Sequence, residues 1–590
     1  MYFIRFGIYK NLTVIQLYGE MNKNYKVNAI ILAAGIGTRL RPVTDFIPKP
    51  LMPVGGVPLL ESIIIKMKEV GIAKIAVNTH HLADRIESFI RNSPYSDMVE
   101  LFQEKEILGT GGPLVNAKDL LCEQEYFILY NGDILSDLDL SELIDCHVSS
   151  GKLATLVAIQ GPENRVLVSP DSKNSGTIID ILGKLGKTCS DGRIMTYSGI
   201  AVFSRDIFKY LPGNPVNHSI ITSILGAIAD KPGSVGVYMP EKIFWNDIGT
   251  TGKYFALISS PPKQEFISPA RQPSIKVTQI AEQGSNRRFY RISCPDSSRV
   301  VMLSSAEDQD FERFLKIGKY FYRNGLGTPE IFNFNKSQYA VLMEDLGDDT
   351  VHEVLKRGNQ QEVYMKVIDW LVGFQKKSCE LGIECRNEVN RYFDYVGMRW
   401  ETEYFTDNFL KRHLGVDNAK CATLQHGFDM LANEALSQPQ ILIHRDFQSQ
   451  NIMIKDGNVR IVDFQGARQG PLAYDLMSLL KDAYVDIPKN LKKELEVYYY
   501  EKLQETGVNK LIFPREQFRK YTVIAGLQRN MQALGAFAFL SFFKGKKRYL
   551  DFIPGGVKNL IEGIEELESL PDRPFSLSKL LDILSSTDSK

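Results

Sequence analysis

Three clusters of residues have types and spacing suited to chemistry at phosphate. The first is the string Leu32-Ala33-Ala34-Gly35-Ile36-Gly37-Thr38-Arg39-Leu40, which follows directly on an apolar run. Its glycines let the backbone approach an anion, and main-chain N–H groups supply a cradle. No Gly-Lys-Ser/Thr follows, so it is not a P-loop, nor is the spacing that of the dinucleotide fingerprint. The second cluster pairs Asp133, reached through Asn131-Gly132, with the distant Asp247. Two carboxylates suit Mg²⁺, which takes hard oxygen ligands and keeps several waters; alone, Asp247 before Gly249-Thr250 would read as a helix N-cap. The third is His444-Arg445-Asp446-Phe447-Gln448-Ser449-Gln450-Asn451, followed by Ile461-Val462-Asp463-Phe464-Gln465. It sets an acid, a carboxamide and a second acid on successive turns.

Such residues need rigid elements behind them. Val27–Ala33 reads as a buried strand, Leu59–Val70 as a helix, Lys74–His80 as a strand and Leu82–Ile90 as a helix. Val99–Glu104, a helix after Gly112, and Tyr126–Asn131 continue the alternation. Strands spaced by helices of about 10–15 residues indicate βαβ units. The expected class is therefore α/β, a Rossmann-like, mostly parallel sheet with the first two clusters at its carboxyl edge. Pro261, Pro262, Pro269 and Pro273 mark a linker. After it Ile275–Ala281, Phe289–Cys294, Arg299–Leu303 and Tyr339–Met343 read as strands and Phe311–Arg323 as a helix. From Val351 most of the chain reads as helical, giving a small sheet lobe before a larger helical one. The expected organisation is an N-terminal extension (1–24), a first domain (25–258), a linker (259–273) and a second domain (274–590). Met21 is a candidate start.

From Val27 to Ser260 the chain resembles sugar-1-phosphate nucleotidylyltransferases. The string at Gly35 continues through Arg41-Pro42, Thr44 and Pro48-Lys49-Pro50-Leu51-Met52-Pro53-Val54. Leu108-Gly109-Thr110-Gly111-Gly112, Asn131-Gly132-Asp133, Ser198-Gly199-Ile200 and Trp245-Asn246-Asp247-Ile248-Gly249-Thr250 follow in order. N-acetylmuramate 1-phosphate uridylyltransferases are the members it looks most like. The resemblance implies attack of a sugar phosphate on the α-phosphorus of a nucleoside triphosphate, with pyrophosphate leaving, cations and backbone donors neutralising the charge. It places Lys49 at the α-phosphate or sugar phosphate and Arg39 at the leaving pyrophosphate. It assigns Ala33, Gly35, Gly37, Thr38, Gly109, Thr110 and Gly111 to the nucleotide, Asn131 and Gly199 to the sugar, and Asp133 and Asp247 to Mg²⁺. The Val/Phe-x-Glu-Lys-Pro motif common in the family is missing between Gln160 and Tyr197, so no sugar contact is assigned there. His80-His81 reads as loop.

The second half, from about Lys276 to Leu580, resembles the aminoglycoside phosphotransferase and choline kinase superfamily, a bilobal protein-kinase-like (α+β) fold. The third cluster has the grammar of a kinase catalytic loop, with Gln465 in place of the usual glycine and Gly470-Pro471-Leu472-Ala473-Tyr474-Asp475-Leu476 in place of an activation segment. The resemblance implies that Asp446 orients the acceptor hydroxyl and accepts its proton, while Asn451 and Asp463 hold Mg²⁺ on the nucleotide. Asp475 reads as support for that loop and cap of the next helix. Gly284, Ser285, Asn286, Arg287 and Arg288, between two expected strands, would cover the phosphates with polar and cationic donors. The strand Arg299–Leu303 lacks a lysine to meet Glu312. That departure resembles anomeric kinases of N-acetylmuramate and N-acetylglucosamine. Leu342-Met343-Glu344-Asp345-Leu346-Gly347 resembles a hinge taking the adenine through backbone groups, with Glu344 at its centre. Arg391-Tyr392-Phe393-Asp394, Trp400, Glu401 and Glu403 fall where such kinases build acceptor pockets, but read equally as helix packing.

Composition narrows the partners. Of 590 residues, 70 are Lys or Arg and 70 Asp or Glu, so no global field recruits nucleic acid or membrane. The basic run Lys544-Gly545-Lys546-Lys547-Arg548 reads as a solvated loop. Seven scattered cysteines form neither a metal motif nor a disulfide framework, and with no signal or membrane segment the expected setting is cytoplasmic. The combined expectation is a bifunctional, Mg²⁺-dependent enzyme. ATP phosphorylates an amino sugar and a second triphosphate, UTP by family likeness, activates the sugar 1-phosphate for cell-wall recycling. Alternatives are a choline kinase with a cytidylyltransferase, a mannose and GTP version, and a nucleotide-binding regulator with dead sites. All seven charged or amide residues expected to act are present, which argues against the last.

Overall fold

The run Val27–Leu32 can be apolar at nearly every position because both of its faces are covered. The computed structural model describes residues 26–259 except 162 and 164, 275–280 and 287–587. In it Val27, Ala29 and Ile31 enter one core and Ile30 another. Tyr126–Asn131 repeats the division, Ile128 and Tyr130 on one side, Phe127 and Leu129 on the other. A period of two with both faces buried is what a sheet sandwiched by helices imposes.

Among the described residues a nine-stranded sheet has the order Val99–Gln103, Ile75–Thr79, Val27–Leu32, Tyr126–Asn131, Arg193–Ser204, Ala154–Ile159, Val235–Tyr238, Ser175–Ile181, Arg165–Pro170. The first four strands are mutually parallel, as their βαβ spacing requires. The remainder is mixed: Arg193–Ser204 runs antiparallel to both of its central neighbours, and the outer two strands pair antiparallel. Leu32 lies opposite Asn131, so the glycine-rich string and Asp133 leave the sheet at one edge. A small antiparallel pair, Ile134–Ser136 with Trp245–Asp247, then sets Asp247 opposite Ile134. Residues far apart in sequence thus become neighbours of Asp133. The cap alternative for Asp247 does not apply, since it ends a strand.

A five-stranded sheet follows, ordered Lys276–Ile280, Arg288–Ser293, Ser298–Leu303, Ala340–Glu344, Ile331–Asn335. Ile331–Asn335 was not expected as a strand. The helix Phe311–Arg323 has the expected bounds, and the long helices Gln360–Val389 and Arg515–Phe542 dominate the rest. The chain divides into two compact units. One is Met1–Ile280 with Phe289–Leu303 and Phe334–Leu342; the other is Ala281–Arg288 with Ser304–Asn333 and Met343–Lys590. Much of the small sheet therefore packs within the first unit, where Tyr290, Ile292, Val301, Leu303, Ala340 and Leu342 share one core with Val27 and Ile31. The N-terminal extension, the linker from residue 260 and the Gly284, Ser285 and Asn286 positions lie outside the described residues. No described helix is long and apolar enough to cross a membrane.

Candidate active sites

In the first unit the glycine-rich string is tied down before it can meet a ligand. Gly37 sits at φ 68°, a left-handed conformation that costs glycine little, and its carbonyl accepts from the Thr44 hydroxyl at 2.9 Å. A Cβ there would fall 2.7 Å from Thr44 Cγ2. Leu40 is buried while Gly35, Thr38 and Arg39 are exposed, leaving the polar side of the turn to solvent. The Ala33 amide donates to Asn78 Oδ1 at 2.7 Å. Asn78 donates in turn to buried Glu104, whose other oxygen accepts from the Leu108 amide at 3.0 Å. One chain of hydrogen bonds thus links the string to the Leu108–Gly112 segment.

This network changes what can be asked of three expected nucleotide contacts. The amide of Ala33 is already engaged. Those of Thr110 and Gly111 both donate to the His218 carbonyl, at 3.1 and 2.8 Å, and the Thr110 hydroxyl accepts from the Ile220 amide. Asn78, Glu104 and His218 were missed in the sequence. The readable signal was a lone asparagine inside the apolar strand Ile75–Thr79. His80 and His81 hydrogen-bond to the carbonyls of Glu104 and Thr44, which makes them loop ties.

The charged centre is compact. Lys49 Nζ donates to Asp133 Oδ2 and lies 3.8 Å from Asp247 Oδ1. Asp247 Oδ1 is buried without a hydrogen-bond partner, a costly state unless a cation or donor completes it. A Cβ built on Gly249 would lie 2.8 and 2.9 Å from the Asp247 oxygens and 3.0 Å from Arg39 Nη2. Arg39, Lys49, Asp133 and Asp247 therefore converge. Among the described residues no group of three or more His, Cys, Asp or Glu surrounds a point. Two carboxylates suit an ion whose remaining ligands are phosphate and water.

Gly199, at φ 83°, lies against Asn131, whose Nδ2 would be 2.5 Å from an added Cβ. The Trp245 indole donates to the Ser198 carbonyl at 3.0 Å, fixing the strand that carries Asp247. Beside it opens a cavity of about 900 Å³ lined by Gln160, Thr196, Arg193, Lys242, Lys253 and Trp245 among others. It occupies the stretch for which sequence offered no motif.

In the second unit the catalytic-loop string is held from below by two buried carboxylates. Asp475 accepts from the amides of His444 and Arg445, at 2.6 and 2.9 Å, and burial pushes its pKa to about 7 against those bonds. It supports the loop as expected, though it does not cap its helix, whose N-terminal flank is Ala473. Asp482 accepts from the amide and hydroxyl of Ser449. These anchors hold Arg445 at φ 78°, and Asp463 sits at φ 61°, conformations that cost a non-glycine residue about 1–2 kcal/mol.

Asn451 Nδ2 donates to the Asp446 carbonyl at 2.9 Å, and its own carbonyl accepts from the Val462 amide, bringing the trio together. Burial pushes Asp446 upward, but Arg445, Arg529, His444 and Arg468 outweigh it and hold the carboxyl below its usual range. Burial and the Asp446 charge push Asp463 the other way. Gln465 donates to Asp463 Oδ1 at 2.6 Å, which gives the residue in the glycine position a task. Arg445 Nη2 lies 3.7 Å from Glu401, a fully buried carboxyl that also accepts from Tyr474 and Gln528. Glu401 is thus loop support, whereas Trp400 and Glu403 are exposed.

Arg287 forms a two-bond pair with Asp308, at 2.7 and 3.1 Å, under the ring of Phe314, and its charge reaches Asp463. Arg288 is exposed. Glu344 bridges Arg460 and Lys455 and its amide donates to the Glu330 carbonyl, so both groups hold the strand. Arg313, unforeseen, donates to the carbonyls of Gln465, Val389 and Ala467 at 2.5–2.7 Å. It fixes the turn after Asp463 from the helix Phe311–Arg323.

Residues 28–261 match the Nucleotidyl transferase family and residues 276–506 the Phosphotransferase enzyme family. The N-acetylmuramate/N-acetylglucosamine kinase of Pseudomonas aeruginosa is 31% identical over 284 residues, 48% of this chain and 82% of the relative. The mannose-1-phosphate guanylyltransferase of Mycobacterium tuberculosis is 28% identical over 230 residues, 38% of this chain and 62% of the relative. UTP–glucose-1-phosphate uridylyltransferase of Synechocystis sp. is 27% identical over 287 residues, 44% of this chain and 69% of the relative. The chain is an enzyme with two activities, a nucleotidyltransferase half fused to a kinase half that belongs to the phosphotransferase family.

Proposed function

We propose that the kinase half uses ATP to phosphorylate the anomeric hydroxyl of N-acetylmuramate or N-acetylglucosamine. The transferase half then joins the sugar 1-phosphate to UMP from UTP, releasing pyrophosphate. The observation that carries this reading is the pairing itself. A half that resembles an amino-sugar kinase shares its chain with a centre, Lys49 between Asp133 and Asp247, suited to joining two phosphates. The product of the first step is what the second consumes, a logic suited to salvage of cell-wall sugars.

Asp446, ionised beside Arg445, accepts the hydrogen bond and then the proton of the sugar hydroxyl. Exposed Arg288 donates to the ATP phosphates, and Arg287, held by Asp308, adds positive charge on the side of Asp463. At the other centre Lys49 steadies the phosphates that react, Arg39 faces the departing pyrophosphate, and Gly35, Gly37 and Thr38 line its path. Asp133 and Asp247 at one centre, and Asn451 and Asp463 at the other, would hold Mg²⁺, which would supply neutralising charge on the polyphosphate. The cavity beside Trp245 has room for a sugar, and Gln160, Thr196 and Arg193 suit its hydroxyl and carboxylate groups.

A second reading, mannose 1-phosphate with GTP, draws on the likeness to the guanylyltransferase. One experiment separates the readings: protein, ATP and Mg²⁺ are incubated with free N-acetylmuramate, N-acetylglucosamine, mannose or choline and each of the four NTPs. A UDP-amino-sugar mass is expected; a GDP-mannose or CDP-choline peak instead would replace the proposal.

A further inference from the structure

The Asn335–Tyr339 turn of the small sheet lies in the first unit and reaches the transferase centre. Gln338 Nε2 donates to the Arg39 carbonyl, and Gln338 Oε1 accepts from the Thr251 amide at 3.2 Å. Asn335 Nδ2 donates to the Arg41 carbonyl at 3.3 Å, while its Oδ1 accepts from the Gln338 amide at 3.3 Å and so shapes the turn. Arg39 carries the guanidinium that converges on Asp247, and Thr251 begins the helix directly after Asp247-Ile248-Gly249-Thr250. One carboxamide therefore ties together the two segments that must face each other across the reacting phosphates. The platform behind it is firm. Phe46 is flanked by the guanidinium groups of Arg85 and Arg299, at 5.0 and 5.4 Å from its centroid. Phe255 packs on Tyr290 with centroids 4.1 Å apart.

We infer that Gln338, contributed by the kinase-fold sheet, is a positioning residue for nucleotidyl transfer. It touches no reacting atom; it fixes the backbone from which Arg39 departs and the start of the helix behind Asp247. An arginine that swings loses the preorganisation that makes a fixed charge effective against developing negative charge. The transferase centre is then completed by sequence some 80 residues beyond its own half (87 separate Thr251 from Gln338), and the kinase sheet gains a second task. The inference rests on the reading of Arg39 as facing pyrophosphate.

The test uses the full-length protein. Gln338→Ala should lower the transferase kcat, forward and in the reverse reaction with pyrophosphate, by about tenfold. The change in KM for nucleoside triphosphate should be smaller, and ATP-dependent sugar phosphorylation and Tm should stay unchanged. Gln338→Glu, which keeps the acceptor for Thr251 N–H but sets an oxygen against the Arg39 carbonyl, should lose as much as Gln338→Ala, and so should Gln338→Asn, one methylene shorter. Unaltered transferase constants in Gln338→Ala overturn the inference. So does an equal fall in both activities together with Tm, the mark of a merely structural contact. If the wild type transfers nucleotide to no sugar phosphate, the proposed function falls, and the clamp is then judged by amide hydrogen exchange over residues 35–44. Exchange in Gln338→Ala at least about tenfold faster sustains the clamp, and unchanged exchange removes it.

Discussion

A carboxylate exchanged for its amide keeps its shape and loses its charge, so such exchanges isolate electrostatic work. Asp446→Asn should lower sugar phosphorylation by about 10²–10⁴-fold, the usual worth of a positioned base, while nucleotidyl transfer from supplied sugar 1-phosphate persists. Asp133→Asn should do the reverse, so that sugar 1-phosphate accumulates from ATP and free sugar. Following both products by mass spectrometry checks each assignment. Glu344 offers a pH test of the strand it holds. Burial raises its pKa, but Arg460 and Lys455 more than offset this and bring it to about 2 from 4.5. A depressed folded value means that its stabilisation is complete above about pH 4.5 and is lost as pH falls through about 2. Glu344→Gln should be less stable than wild type at pH 7, and the gap in urea midpoint should narrow below pH 4.5.

Helices and strands decide which of these groups meet. Arg313 leaves the helix Phe311–Arg323 to satisfy three carbonyls, two of them in the stretch after Asp463. Removing it strands buried acceptors, each costing about 1–3 kcal/mol. Arg313→Met should lower Tm and raise the KM for ATP severalfold, with transferase constants unmoved; steady-state kinetics of each half would show it. The sequence made the fixed-spacing motifs legible, because Gly35–Leu40, Asn131–Asp133 and His444–Asn451 are each one short contiguous stretch leaving the end of a strand. It hid what long-range packing assembles. Nothing in the spacing of the helix Phe311–Arg323 sets Arg313 apart from its other polar residues. The cavity draws on positions from Ile159 to Lys253 that share no local pattern. The strand Ile331–Asn335 does alternate Phe with Asn, the period of a strand, but over only five residues.

At the scale of the whole molecule, two reactions in one chain can be separated by mixing. If sugar 1-phosphate leaves one centre and diffuses to the other, Asp446→Asn and Asp133→Asn proteins combined should form nucleotide sugar from ATP and free sugar after a lag. No product from the mixture would point to obligatory transfer within a chain. The order of two enzymes along the sequence was legible from motifs alone. The division into units was not, because membership of Phe289–Leu303 and Phe334–Leu342 is settled by burial rather than by neighbours in sequence. Those strands share an interior with the transferase, and that has a consequence for how such a gene can change. A mutation that cut the coding region after residue 260 would leave Phe255 facing water where Tyr290 had covered it, a loss of up to about 1.5–3 kcal/mol at one side chain. A freestanding descendant would have to acquire polar residues across that seam first, so the fusion, once made, resists being undone.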